Sequence, residues 1–248
     1  LIAIAILVTY PKLPPLDSLQ HYQTKMPLTI YSADGQIIGV YGEQRREFTK
    51  INDFPHILKN AVIAAEDKRF YEHWGVDVWG IARAAISNIV AGGVQSGAST
   101  ITQQVAKNFY LSSERTFTRK FNEALLAYKI EQSLSKDKIL ELYFNQIYLG
   151  QRAYGFASAA QIYFNKNVKD LTLAEAAMLA GLPKAPSAYN PIVNPERAKL
   201  RQTYILNNML EEGMITSQQR DDALKEELHY EQFVQKIDQN ALYVAEMV

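Results

Sequence analysis

Two hydrophobic periods divide the chain: a strand-like alternation over residues 27–51, and helical spacing of apolar residues from Pro55 onward. In the first stretch Leu28 and Ile30, then Ala33-Asp34-Gly35, then Ile37, Val40 and Tyr41 predict a hairpin around a glycine turn. In the second, Pro55 opens a helix through Ile57, Leu58, Ala61, Val62 and Ala65. Asp77 caps the next, which ends at Gly92-Gly93. Thr100 and Gln103 have the spacing of a capping box at the head of a third helix, whose core face is Ile101, Val105 and Phe109. A fourth spans roughly 116–134, with Phe117, Phe121, Leu125, Tyr128 and Leu134 turned inward. Later helices start at Lys136 behind a Ser135 cap, at Thr172 (boxed with Glu175) and at Asn194-Pro195, the last ending near Gly213. The glycine-rich stretch 92–97 predicts a mobile flap. The fold class is therefore mainly α with a small N-terminal β-hairpin.

The two ends read differently. Residues 1–9 are apolar and uncharged but too short to cross a bilayer, which needs about 20 such residues. They are expected to be the end of a truncated transmembrane helix, with a signal-peptide remnant or a buried strand as alternatives. Pro11, Pro14 and Pro15 make a stiff exit from it. Residues 241–248 stop in an apolar pattern with no terminator, so more chain is expected beyond them.

Composition narrows the chemistry. Lys plus Arg balance Asp plus Glu at 26 each, so no global field argues for nucleic acid, and any anion site must come from local clustering. Cysteine is absent, which excludes disulfides, thiolate metal sites and a cysteine nucleophile. The 4 histidines lack ligand spacing, and no metal site is assigned.

Three clusters remain. The first runs from Glu66 and Asp67 through Phe70 and His73 to Gly75. Glu66 ends an apolar helix, where partial burial would raise its pKa and make it a general base; a solvated helix end is the plainer reading. His73 alone is as well explained as a structural hydrogen-bonder. The second cluster is Ser99, Thr100, Gln103 and Gln104 with Lys107 one turn on. Hydroxyls and free N–H groups at a helix start, plus a point charge, suit an anion, although ordinary caps look the same. The third is Arg115, Arg119, Lys120 and Glu123, in which the last three share a helical face; a surface salt bridge would give the same pattern. Ser133-Leu134-Ser135-Lys136 fits the Ser-x-x-Lys pattern of serine acyltransferases. Its partner motifs Ser-Asp-Asn and Lys-Thr-Gly are missing, so Ser135 is read as a helix cap.

In this order the clusters resemble the peptidoglycan glycosyltransferase domain, family 51, of class A penicillin-binding proteins. The resemblance covers roughly 30–230. It includes Gly97-x-Ser99-Thr100-Ile101-Thr102-Gln103-Gln104, Arg119-Lys120-x-x-Glu123, and Ser135-Lys136-x-x-Ile139-Leu140-Glu141-x-Tyr143-x-Asn145. Tyr148-x-Gly150, Tyr154-Gly155 and Ala180-Gly181-x-Pro183-x-x-Pro186 continue it, and the last of these is read as structural. The resemblance implies a lysozyme-like helical fold with a membrane-facing lobe. It divides the chain into a membrane-helix end with exit linker (1–16), a glycosyltransferase domain (17–230) and a linker (231–248) to a missing downstream domain, a transpeptidase. It also implies a single-pass protein of the cytoplasmic (inner) membrane, with the catalytic domain on the periplasmic face.

The implied reaction polymerises lipid II. The 4-hydroxyl of one lipid-linked disaccharide attacks the anomeric carbon of a lipid-linked glycan. Undecaprenyl pyrophosphate leaves, and the α-linked donor becomes a β-1,4 strand with inversion. By motif correspondence Glu66 is the base. Lys107, Arg119 and Lys120 neutralise the pyrophosphate, and Ser99, Thr100, Gln103 and Gln104 line the site. Glu123 orients the cations or holds a divalent ion (Mg2+ or Mn2+), although the sequence requires no cofactor. Asp67, Phe70 and His73 take supporting places. Lipid II, lipid-linked glycan, the lipid bilayer and moenomycin-type inhibitors are the implied partners. Trp74, Val76, Val78, Trp79 and Ile81 offer either an apolar surface for the bilayer interface or the buried face of a core helix. Two rivals are a lysozyme-like glycan-cleaving enzyme, which has no use for a cation cluster, and a catalytically inactive membrane-anchored cell-wall scaffold, which would not need both Glu66 and Glu123.

Overall fold

Most helices here begin where a side chain or a proline answers the free N–H groups of the first turn. The computed structural model describes residues 2–20, 28–31, 33–34, 37–41, 48–90, 99–111 and 116–230. Helix α1 (Ile2–Thr9) and the short α2 (Asp17–Gln20) precede strands β1 (Leu28–Tyr31) and β2 (Ile37–Tyr41), which pair antiparallel from Leu28↔Tyr41 to Tyr31↔Ile37. The rest is helical: α3 (His56–Glu66), α4 (Val78–Val90), α5 (Ile101–Tyr110), α6 (Phe117–Ser133), α7 (Lys136–Gln146), α8 (Phe156–Phe164), α9 (Leu173–Ala180), α10 (Pro195–Glu211) and α11 (Ser217–Lys225). Thr100 with Gln103, Thr172 with Glu175 and Thr216 with Gln219 form reciprocal capping boxes at the heads of α5, α9 and α11. The Ser135 hydroxyl accepts from the Lys138 N–H and starts α7, so it is a cap and not a nucleophile.

Helix α3 packs against α9 and α10, and α5 against α6 and α7. The core includes the buried rings of Phe54, Phe144 and Phe156, with centroids 5.0 Å apart for the first two and 4.7 Å for the last two. This packing brings the C-terminus of α3, the N-terminus of α5 and one face of α10 together.

Two expectations need correction. Helix α6 forms over the expected span but buries another face. Phe117 is 98% exposed and Tyr128 is exposed, whereas Glu123, Leu126, Ala127 and Ile130 are buried. Those four lie at i, i+3, i+4 and i+7, so the stripe is helical but is headed by a carboxylate. Arg119 and Lys120 neutralise Glu123 and let it enter, which a count of apolar residues misses. The second concerns α4. Of its described side chains none is buried, and Val78, Trp79, Ile81, Ile86 and Ile89 are exposed, as is Trp74 before it. The buried-helix reading of that segment is therefore excluded.

Helices α8 and α11 were not foreseen. Phe156–Phe164 is buried at every position except Gln161, so it shows no amphipathic period. Helix α11 buries only Ala223, leaving the Thr216–Gln219 spacing as its one signal. Among the described residues no helix is long and apolar enough to cross a membrane. Residues 2–9 are helical, which removes the strand alternative for that segment. The expected flap at 92–97, Arg115, the Gly35 turn residue and segment 231–248 lie outside the described residues.

Candidate active site

The site begins where α3 ends. Asp67 leaves the helical path, and its buried carboxylate accepts from His73 Nε2 through both oxygens at 3.0 and 2.9 Å. It also accepts from the Ile101 N–H at 3.0 Å, at the first turn of α5. His73 Nδ1 accepts from the Gly75 N–H at 3.1 Å, which leaves Nε2 to donate to Asp67. The Thr100 hydroxyl donates to Gly75 O at 2.6 Å and caps Gln103 N. Phe70 is fully buried, with the Lys136 ammonium 4.6 Å above its ring. Asp67, Phe70, His73, Thr100 and Gln103 thus clamp α3 to α5 and hold the neighbouring Glu66 in place.

Glu66 faces a cleft of about 690 Å³. Its Oε2 accepts from Gln104 Nε2 at 2.9 Å, and Tyr143 OH donates to Gln104 Oε1 at 3.5 Å, which turns the amide NH2 onto the carboxylate. Burial and the nearby Glu66 push the Tyr143 hydroxyl well above its usual range, so it stays a donor. Burial likewise raises the Glu66 carboxyl above its ordinary value; the Gln104 bond and the charges of Arg201 and Lys184 pull it partly back, and Asp67 pushes it up. Arg201 Nη2 stands 3.6 Å from Glu66 Oε1.

Glu123 is held differently. Arg119 Nη1 donates to one of its oxygens at 2.8 Å, and the Lys120 ammonium takes the other while donating to Ser99 Oγ at 2.8 Å. Ser99, Gln104, Lys107, Arg119, Lys120 and Glu123 all line the cleft with Glu66, whereas Thr100 and Gln103 form the capping box and do not line it. Among the described residues no group of His, Asp or Glu has metal-holding geometry.

Sequence reasoning missed the other side of the cleft. Lys184, from a 3-10 turn at Leu182–Lys184, and Arg197, Leu200, Arg201 and Tyr204 of α10 also line it, as does Tyr189. Arg197, Leu200, Arg201 and Tyr204 fall at i, i+3, i+4 and i+7, a single stripe that looks like an ordinary helix surface in sequence. Among the described residues the cleft therefore carries six cations (Lys107, Arg119, Lys120, Lys184, Arg197 and Arg201) against two carboxylates. A second cleft of about 280 Å³ shares Ala65, Glu66, Ser99 and Tyr204 with the first and adds Asp67, Lys68, Arg69, Asp77, Arg83 and Thr100 among its lining. Glu66 sits where the two meet.

Comparison with known proteins identifies the family. The Transglycosylase family model matches residues 34–210. Penicillin-binding protein 1A of Neisseria flavescens is 90% identical over 247 residues, which is 100% of this chain and 31% of that protein. Penicillin-binding protein 1A of Pseudomonas aeruginosa is 50% identical over 243 residues, 98% of this chain and 30% of that protein. The crystal structure of penicillin-binding protein 1A from Haemophilus influenzae matches with a TM-score of 0.53 and 33% identity, over 91% of this chain and 23% of that one. The chain spans about a third of the length of the curated relatives it matches. With the family model covering well over half of its residues, the chain belongs to the transglycosylase family.

Proposed function

We propose that this transglycosylase domain is a peptidoglycan glycosyltransferase that polymerises lipid II into β-1,4 glycan strands with inversion and release of undecaprenyl pyrophosphate. The observation that carries the reading is the place of Glu66, at the junction of a cation-rich cleft and a smaller one. Inversion needs a nucleophile and a leaving group on opposite sides of one carbon. The larger cleft suits the donor, because Lys107, Arg119, Lys120 and Lys184 neutralise a departing diphosphate, which needs charge compensation and no acid. The smaller cleft suits the acceptor sugar, whose hydroxyl is a poor nucleophile and requires a base.

Glu66 suits that task better than Glu123. Its Oε1 has no short donor, and its raised pKa strengthens it as a proton acceptor while burial shields it from water. Glu123 has a cation on each oxygen, so it is placed to orient Arg119 and Lys120. Ser99 fixes Lys120, and Gln104 fixes Glu66. Asp67, Phe70, His73, Thr100 and Gln103 hold the framework. A lysozyme-like cleaver would need a carboxylic acid for a poor alkoxide and has no use for six cations.

The same reading makes 17–230 the catalytic domain, with 1–16 as the end of an inner-membrane anchor and exit linker, and 231–248 as the start of a linker to a transpeptidase domain. The domain then works on the periplasmic face as part of a single-pass protein. The exposed Trp74, Val78, Trp79, Ile81, Ile86 and Ile89 form an apolar lobe against the bilayer, where interfacial Trp is favoured and the lipid substrate resides. Moenomycin-type inhibitors fit the donor cleft. Incubation with labelled lipid II in detergent or liposomes, divalent ion supplied, should give long glycan that lysozyme digests. A folded protein that makes none contradicts the proposal.

A further inference from the structure

Gly181 and the α10 residue Arg201 have no part in the reaction described above, yet they meet beside the base. Arg201 is 8% exposed and lines the larger cleft, but its bonds are weak: Nη2 lies 3.5 Å from Ala65 O and 3.6 Å from Glu66 Oε1, and Nε is buried without a partner. Packing holds it instead. The guanidinium carbon lies 4.9 Å from the Tyr204 ring centre and 5.8 Å from that of Tyr189. Its stem runs over Gly181, where an added Cβ would stand 2.9 Å from Arg201 Cγ and 3.3 Å from Met178 O. Gly181 has an ordinary helical φ of −77°, so the glycine is needed there for space, not for conformation.

We infer that Arg201 is a positioning residue for the Glu66 base, and that Gly181 serves by leaving the room in which its stem runs. This rests on the reading of Glu66 as the base. A short ion pair on each oxygen, of the kind that holds Glu123, would occupy the oxygen that must accept the proton. A cation caged by two tyrosines and a glycine at 3.6 Å stabilises the charged carboxylate and leaves that oxygen open. Among the described residues five groups face Glu66: Asp67 just past the end of α3, Gln104 on α5, Tyr143 on α7, Lys184 on the turn before Ala185, and Arg201 on α10. Arg201 and Lys184 are the cations among them, and Arg201 is the buried one.

The test compares the parent with Arg201→Gln, Arg201→Lys and Gly181→Ala, each checked for a retained melting transition. Glu66 is titrated by carboxyl 13C NMR in the free protein, with Glu66→Gln identifying the signal, and lipid II polymerisation is followed against pH. Removing the cation from Arg201 should raise the Glu66 midpoint by about one pH unit and carry the acid limb of kcat/KM to higher pH by the same amount. Gly181→Ala should shift both in the same direction, by less, and Arg201→Lys should fall between Arg201→Gln and the parent. An unchanged midpoint in folded Arg201→Gln overturns the inference, as does a rise in KM with the acid limb in place, which would assign Arg201 to substrate binding. A parent without polymer at any pH contradicts the proposed reaction instead, and the NMR titration then decides the Arg201–Glu66 coupling by itself.

Discussion

At the scale of single residues, two carboxylates in one cleft are set apart by their partners. Glu123 is saturated with cations, and Glu66 is buried with one amide donor and a distant guanidinium. The Glu66 arrangement has a stability cost with a definite sign. Its folded-state pKa lies above the ordinary 4.5, so keeping it ionised works against folding at neutral pH. That cost is absent below the unfolded value, where both states are protonated, and is complete once pH has risen past the folded value. Glu66→Gln should therefore melt higher than the parent at pH 7, by roughly 2–4 °C for each kcal/mol relieved, with the gap closing below about pH 4.5. Equal melting at pH 7 would show that Gln104 and the two cations fully offset the burial. Asp67 is a structural residue, since it binds His73 and accepts from the first N–H of α5. Asp67→Ala should lose about 2–4 kcal/mol in chemical denaturation, and a loss under about 1 kcal/mol would remove its clamping role. Glu66, Lys107, Arg119, Lys120 and Glu123 were legible because each lies in a compact motif. Lys184 and Arg201 were not, because only the packing of α3 against α9 and α10 brings them to Glu66.

At the scale of elements, starts were more legible than faces. A capping box is a local bargain between two side chains and two N–H groups, so Thr100 and Thr172 announce α5 and α9 without any tertiary knowledge. The buried face of α6 depends on what lies against it, and Glu123 entered with its cations while Phe117 was left outside. Helix α8 hid for the opposite reason, as burial on nearly all sides erases the period that reveals a helix. The loop after α3 also depends on a long-range contact. Gly75 has φ +96°, and an added Cβ would stand 2.7–2.9 Å from the Ala127–Tyr128 backbone of α6. Gly75→Ala should cost at least about 2 kcal/mol and weaken the Asp67–His73 clamp, readable as lost protection of the His73 ring and loop amides in hydrogen exchange. Unchanged exchange there would mean the loop is not braced by α6.

For the molecule as a whole, charge and hydrophobicity are segregated although the chain is neutral on balance. Six cations converge on one cleft, and an apolar helix stands exposed beside it. Neither is visible in composition, since both arise from which residues the fold brings together or leaves out. If α4 meets a bilayer, Trp79→Ala should weaken binding to phospholipid vesicles several-fold without lowering the melting temperature, because Trp79 is 72% exposed. Unchanged vesicle binding would remove α4 from that role.

The central claim is that Glu66 takes the acceptor proton while Glu123 only arranges cations. It is tested most directly by initial rates of glycan formation across a range of labelled lipid II concentrations, comparing the parent, Glu66→Gln and Glu123→Gln. The account predicts a fall of about 100-fold or more for Glu66→Gln with KM little changed. Glu123→Gln, which frees Arg119 and Lys120, should instead combine a smaller fall with weakened donor binding. Polymer formed at the parental rate by Glu66→Gln would contradict the account and move the base to Glu123 or to a group not yet identified.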